Sequence, residues 1–216
     1  MNYLHTMIRV GDLDGALGRL LPRHAEIVAA LDERPFAIAP IAERYLSVLE
    51  GFYQRRDRAR FVICRQEGGA ANMADAYGKL TGRPGICFVT RGPGATNASI
   101  GIHTAFQDST PMILFIGQVP NEFVEREAFQ EVDYRRMFGQ MAKWVAQIDR
   151  ADRVPEYVSH AFHLAMSGRP GPVVLALPED MLLDQVEATD RPRVEHVAQA
   201  PDPDAMVIGT DRPRMT

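Results

Sequence analysis

The sequence predicts an α/β fold, a Rossmann-like, doubly wound and mainly parallel sheet flanked by helices. Short apolar runs at Phe61–Cys64, Ile86–Thr90, Met112–Ile116 and Pro172–Pro178 lack an in–out alternation, as strands do when a parallel sheet is covered on both faces. Stretches of helical length rich in small residues separate them, and glycine or proline marks the passages between strand and helix. Connections of this kind are right-handed crossovers, which give the doubly wound architecture.

In chain order, Asp12 can cap a short helix through Leu21, and Pro22 can open a second over Arg23 to Asp32. PFAIAP, Pro35 to Pro40, carries proline at both ends and reads at best as an edge strand. The strand Phe61–Cys64 precedes a helix from about Gly68 to Leu80, stopped by Gly82 and Pro84. Ile86–Thr90 is followed by a helix over Ala95–Phe106, then by the strand Met112–Ile116. WVAQI (Trp144–Ile148) is a weaker strand, Val154 to Met166 a helix, and PVVLALP (Pro172–Pro178) the last strand. From about Asp184 the chain turns polar and proline-punctuated, and TDRPR occurs at 189–193 and again at 210–214. Two short copies do not make a solenoid. The predicted division is an atypical N-terminal segment over 1–42, a domain over 43–183, and a linker-like tail over 184–216.

A length of 216 residues, 46% hydrophobic and 24% charged, is ordinary globular composition with enough chain for a core. A net charge of −4 leaves no electrostatic footprint for nucleic acid, and no apolar run reaches the length of a membrane span. The first residues lack the apolar core of a secretory signal, and Cys64 and Cys87 sit in apolar runs, reading as reduced core thiols of a cytoplasmic protein. The six histidines show no metal spacing.

Four motifs carry chemistry. Glu67 stands between a predicted buried strand and Gly68-Gly69-Ala70-Ala71, where a flat ligand can come close. Desolvation lets a carboxylate there hold or exchange a proton near neutral pH; the plainer alternative is an acid serving the helix dipole. TRGPGATN, Thr90 to Asn97, makes a sharp turn into a helix N-terminus able to bind a phosphate, though it is neither a dinucleotide fingerprint nor a Walker loop. AFQDSTP places Gln107 and Asp108 near the expected carboxyl side of the sheet. REAFQEVD, Arg126 to Asp133, is a polar loop or short helix whose Phe129 and Gln130 either face a pocket or form a solvated face with Phe129 docked on the core.

In this order RQEGGAANMADAYGKLTGRPG, TRGPGATN, AFQDSTPMILFIGQV, AFQEVD and SGRPGPVVLALPED resemble the N-terminal, pyrimidine-binding domain of thiamine diphosphate (ThDP) enzymes of the acetolactate synthase type, from about Glu43 to Leu183. The resemblance implies that Glu67 hydrogen-bonds the cofactor's pyrimidine ring and favours the tautomer that activates the thiazolium carbon. It implies decarboxylation and ligation of 2-oxo acids such as pyruvate, and with that a place in branched-chain amino acid biosynthesis. By the same carry-over Pro93, Gly94 and Asn97 line the pyrimidine, Gln107 and Gln130 face the reacting centre, and Phe129 and Lys143 lie near the substrate channel, a region that approaches FAD in some relatives.

Departures are Gln66 where histidine is common before the acid, Arg91 where serine is common in the turn, and Pro35–Ala42 in place of a strand ending in a GVPG-like turn. The upstream residues do not resemble the family, which suggests an altered frame or start. The family's GDG motif for Mg²⁺ and diphosphate has no convincing counterpart, since Gly11-Asp12-Leu13 has the wrong third residue and context. The site is therefore expected to be completed by a homodimer or by a chain carrying the diphosphate-binding domain. The alternatives are a non-catalytic truncated fragment of such an enzyme and an unrelated nucleotide-binding module.

Overall fold

The computed structural model describes residues 35–38, 46–57, 59–187, 189 and 191. The expected helices over 12–21 and 23–32, and the linker-like tail beyond residue 191, lie outside the described residues. The strands are β1 (Pro35–Ile38), β2 (Arg60–Ile63), β3 (Gly85–Val89), β4 (Met112–Gln118), β5 (Trp144–Gln147) and β6 (Pro172–Pro178). They form one parallel sheet in the order β2-β1-β3-β4-β6-β5. The helices are α1 (Leu46–Gln54), α2 (Glu67–Thr81), α3 (Pro93–Gln107), α4 (Tyr134–Phe138) and α5 (Val154–Met166).

Alternate residues of the buried strands divide between two cores, as the strand period of two requires. Ile86 and Phe88 of β3, Phe115 of β4 and Leu175 of β6 pack with Val48 and Phe52 of α1 and with Val158 and Phe162 of α5. Cys87 and Val89, Leu114 and Ile116, and Val174 pack on the opposite face with the alanines of α2 and α3 and with Tyr134 and Phe138 of α4. Phe88 stacks on Phe115 with ring centroids 4.5 Å apart, and Phe52 meets Phe88 edge-on at 5.5 Å. Each such ring contributes roughly 1.5–3 kcal/mol by burial and about 1 kcal/mol more by pairing.

Local chemistry sets the helix ends. The Gln66 side chain accepts the Gly69 N–H at 2.8 Å and caps α2, which stops at Gly82 in the left-handed conformation at φ 67°. Pro93 opens α3 behind Gly92, whose φ of 54° and ψ of −107° suit glycine. The small residues let α2 and α3 touch, for a methyl at Gly101 would lie 2.5 Å from Ala71 Cβ.

Three expectations are corrected. Strand β1 is interior, between β2 and β3, rather than an edge. Its proline is tolerated because Pro35 is the first residue and pairs only with Arg60, while pairing to β3 begins at Phe36. Strand β2 is instead the edge, so it is half covered rather than buried, and its Ile63 is 70% exposed. Cys64 accordingly lies past β2 and is half-buried, its thiol donating to Met73 Sδ at 3.5 Å, whereas Cys87 is fully buried and its thiol is pushed up by desolvation.

Candidate functional site

Because all six strands are parallel, their carboxyl ends share one edge of the sheet, where the chain passes into α2, α3 and the segments after β4 and β6. Glu67 is the first residue of α2, half-buried at the helix N-terminus. Asn97, on the second turn of α3, donates its Nδ2–H to Glu67 Oε2 at 3.1 Å. Among the described residues no hydrogen bond to Glu67 Oε1 is present, so one carboxylate oxygen is oriented and the other is open. A methyl at Gly68 would sit 2.9 Å from Gln66 Oε1 and 3.1 Å from the Asn97 carbonyl, so the glycine is what lets the two helix starts close together.

The turn of Gly92, Pro93 and Gly94 forms the next wall. The Gly92 N–H donates to Tyr134 Oη at 2.9 Å, and the Tyr134 hydroxyl donates to the Gly117 carbonyl at 3.2 Å. Burial pushes the Tyr134 phenol up to about 12. Gln130 closes over the same turn, since a methyl at Gly92 would lie 2.9 Å from both its Cβ and its carbonyl oxygen. Gln130 itself holds a positive φ of 65°, as do Glu125 and Glu127 at 63° and 54°. This loop is braced from within: the Glu131 carboxylate accepts the N–H groups of Glu125 at 2.6 Å and Ala128 at 3.1 Å.

Beside the turn lies a cleft of roughly 340 Å³ between Arg91, Val119, Pro120, Phe123, Ala128, Phe129 and Glu179. Its walls are apolar except for an ion pair between Arg91 Nη1 and Glu179 Oε1, both largely buried. Phe129 is 76% exposed and faces this cleft instead of docking on the core.

Comparison with known proteins decides what kind of site this is. Residues 37–137 match the family described as "Thiamine pyrophosphate enzyme, N-terminal TPP binding domain". The catalytic subunit of mitochondrial acetolactate synthase from Saccharomyces cerevisiae is 41% identical over 125 residues, which is 58% of this chain and 18% of that protein. A probable acetolactate synthase large subunit from Methanococcus aeolicus is 42% identical over 120 residues, 56% of this chain and 20% of that protein. The acetolactate synthase of Arthrospira platensis is 42% identical over 128 residues, 59% and 22% respectively. The chain thus spans about a fifth of the length of the curated relatives it matches. Residues 37–137 are an acetolactate synthase-like, N-terminal thiamine pyrophosphate-binding domain.

The residues of this TPP-binding domain fit the pyrimidine half of the cofactor. An oriented carboxyl with one open oxygen suits a ring nitrogen, and the close helix starts leave its approach unencumbered by side chains at Gly68 and Gly69. The domain brings Glu67 and Asn97 together, and Gln130 onto Gly92, with the exposed Pro93 and buried Gly94 between them. Among the described residues, no group of three or more His, Cys, Asp or Glu side chains is arranged to hold a metal ion.

Two expected site residues are not brought there. Gln107 ends α3, which runs back from the carboxyl edge to the amino edge of the sheet, so it and Asp108 lie roughly 20 Å of helix away from Pro93. Lys143 immediately precedes β5 and is likewise at the amino edge. Its Nζ donates to the carbonyls of Leu164 and, at 2.6 Å, Ser167, closing the end of α5, and desolvation lowers its proton affinity. Within one chain neither faces Glu67.

Sequence reasoning missed Tyr134 and Glu179. The first had a signal: Asp133 caps a helical YRRMF in which Tyr134 and Phe138 are one turn apart on one face. The second had none, since Glu179 meets Arg91 across 88 residues of sequence.

Proposed function

We propose that this chain is the pyrimidine-binding part of a ThDP-dependent, acetolactate synthase-like enzyme that decarboxylates and ligates 2-oxo acids such as pyruvate, with the Mg²⁺–diphosphate site supplied by another chain. The observation that carries this reading is the Asn97-oriented Glu67 at the joined starts of α2 and α3. Asn97 holds Oε2, and the open Oε1 would hydrogen-bond the pyrimidine ring nitrogen. Pro93 and Gly94 support the ring edge, and Gln130 and Phe129 line the approach to the reacting centre. Bound there, ThDP supplies the electron sink for decarboxylation. The cleft beside Phe129 is the proposed substrate approach and the place for FAD if the assembly carries one, which its flavin absorbance reads directly.

The partner, a second copy or a chain bearing the diphosphate domain, is proposed to cover the apolar side chains left open. Met73 and Leu80 are two turns apart on α2 and 47% and 86% exposed, and Ile100 on α3 is 60% exposed. Isothermal titration with ThDP and Mg²⁺, of the chain alone and with the candidate partner, tests the function. Saturable binding that needs Glu67 is expected. No binding with any such partner would leave a non-catalytic fragment, and a stable monomer in gel filtration would count against the covered face.

A further inference from the structure

We propose that Tyr134 is a positioning residue for the cofactor site: its hydroxyl locks the Gly92–Pro93–Gly94 turn to the end of β4 and so fixes where Asn97 holds Glu67. This rests on the function proposed above. Tyr134 is 3% exposed, on a helix whose start is capped by Asp133 accepting the Arg136 N–H at 3.1 Å, and its ring packs beside Phe138. The ring therefore has one place to be. Its hydroxyl accepts once, from Gly92 N–H, and donates once, to the Gly117 carbonyl, which uses its single proton.

What it holds is a soft point. The other backbone bonds at this turn, Gly94 N–H to the Arg91 carbonyl and Thr96 N–H to the Gly92 carbonyl, are local and move with it. A glycine at φ 54° does not by itself fix the direction in which α3 starts. Tyr134 ties that start to β4, the central strand flanked by β3 and β6. Asn97 lies four residues past Pro93 on the same helix, so its side-chain amide reaches Glu67 Oε2 at 3.1 Å only if α3 begins in the right place. Gln130, in contact with Gly92, is carried by the same lock. The tyrosine touches neither Glu67 nor Asn97; it acts through the turn.

The test uses the full chain labelled with ¹⁵N, comparing wild type, Tyr134→Phe and, as a control, Phe138→Leu, which disturbs the same cluster and keeps the hydroxyl. In Tyr134→Phe the Gly92 amide is expected to exchange about tenfold faster, the Asn97 side-chain amide signals to shift, and the Kd for ThDP to rise about three- to tenfold, the scale of one lost hydrogen bond. Phe138→Leu should lower the unfolding midpoint with the Asn97 signals in place. Unchanged Asn97 signals and ThDP affinity in Tyr134→Phe would overturn the proposal and make Tyr134 a packing residue only. Tyr134→Met, which also lacks the hydroxyl, serves if the phenylalanine variant does not fold. If wild type binds no ThDP with any partner chain, the proposed function fails, and the Asn97 signals alone then decide whether Tyr134 positions the amide.

Discussion

The two edges of the sheet are both rich in polar side chains, yet they are built to opposite ends. At the amino edge Lys143 and Arg169 are spent on helix C-termini. Lys143 closes α5 through the Leu164 and Ser167 carbonyls, and Arg169 closes α3 through the carbonyls of Phe106 and Gln107, both at 3.1 Å. Lys79 sits between Asp75 and Asp108, 2.7 Å from each. At the carboxyl edge helix N-termini face outward, and Glu67 keeps an oxygen open among the described residues. Saturated polar groups stabilise; incompletely partnered ones are available for a ligand.

The sharpest way to break that comparison is Glu67→Gln in the assembled enzyme. Under the proposed function, turnover is expected to fall by about two to four orders of magnitude with the unfolding midpoint nearly unchanged. Activity at the wild-type level would remove Glu67 from its role. Next in size is Gly101→Val, which forces side-chain atoms into Ala71 and should destabilise by about 3 kcal/mol in urea unfolding while also weakening ThDP binding.

A third contrast uses pH. The fold raises the Tyr134 phenol from 10 to about 12, so it favours the protonated hydroxyl. That contribution is complete below pH 10 and is lost as pH rises through the folded value of about 12. The stability difference between wild type and Tyr134→Phe should therefore shrink by about 2–3 kcal/mol across that window. A constant difference would show that the hydroxyl does not ionise with unfolding. Smallest are the amino-edge changes. Lys143→Met should cost about 1–2 kcal/mol, and Gln107→Ala under about 0.5 kcal/mol, each with ThDP affinity intact. Loss of affinity in either would mean that this edge reaches a cofactor site in the assembly.

The strands and helices were legible because their signals are local. Apolar runs reproduce β3, β4 and β6 to within two residues, the Gly82 stop bounds α2, and α3 begins at Pro93, two residues before the expected Ala95. Strand order was not legible, since Phe36 and Phe61 do not reveal which of them has neighbours on both sides. Glu67 could be picked out by its junction, and Asn97 by the motif resemblance. Direction along α3 was the trap: Gln107 and Asn97 share a helix, but its length carries them to opposite edges. The pairing of Arg91 with Glu179 had no signal at all, because it depends on β3 and β6 both flanking β4.

The contact between Gly101 and Ala71 acts as a caliper. It clamps α2 to α3 backbone against backbone, four residues past Glu67 on one helix and four past Asn97 on the other, and those two residues are the jaws. The opening of those jaws is thus set by a contact about one turn away, together with the start of α3 that Tyr134 fixes. Insertions after Thr81 or after Gln107 should leave that gauge unaltered, whereas a single methylene at its pivot would change what it measures.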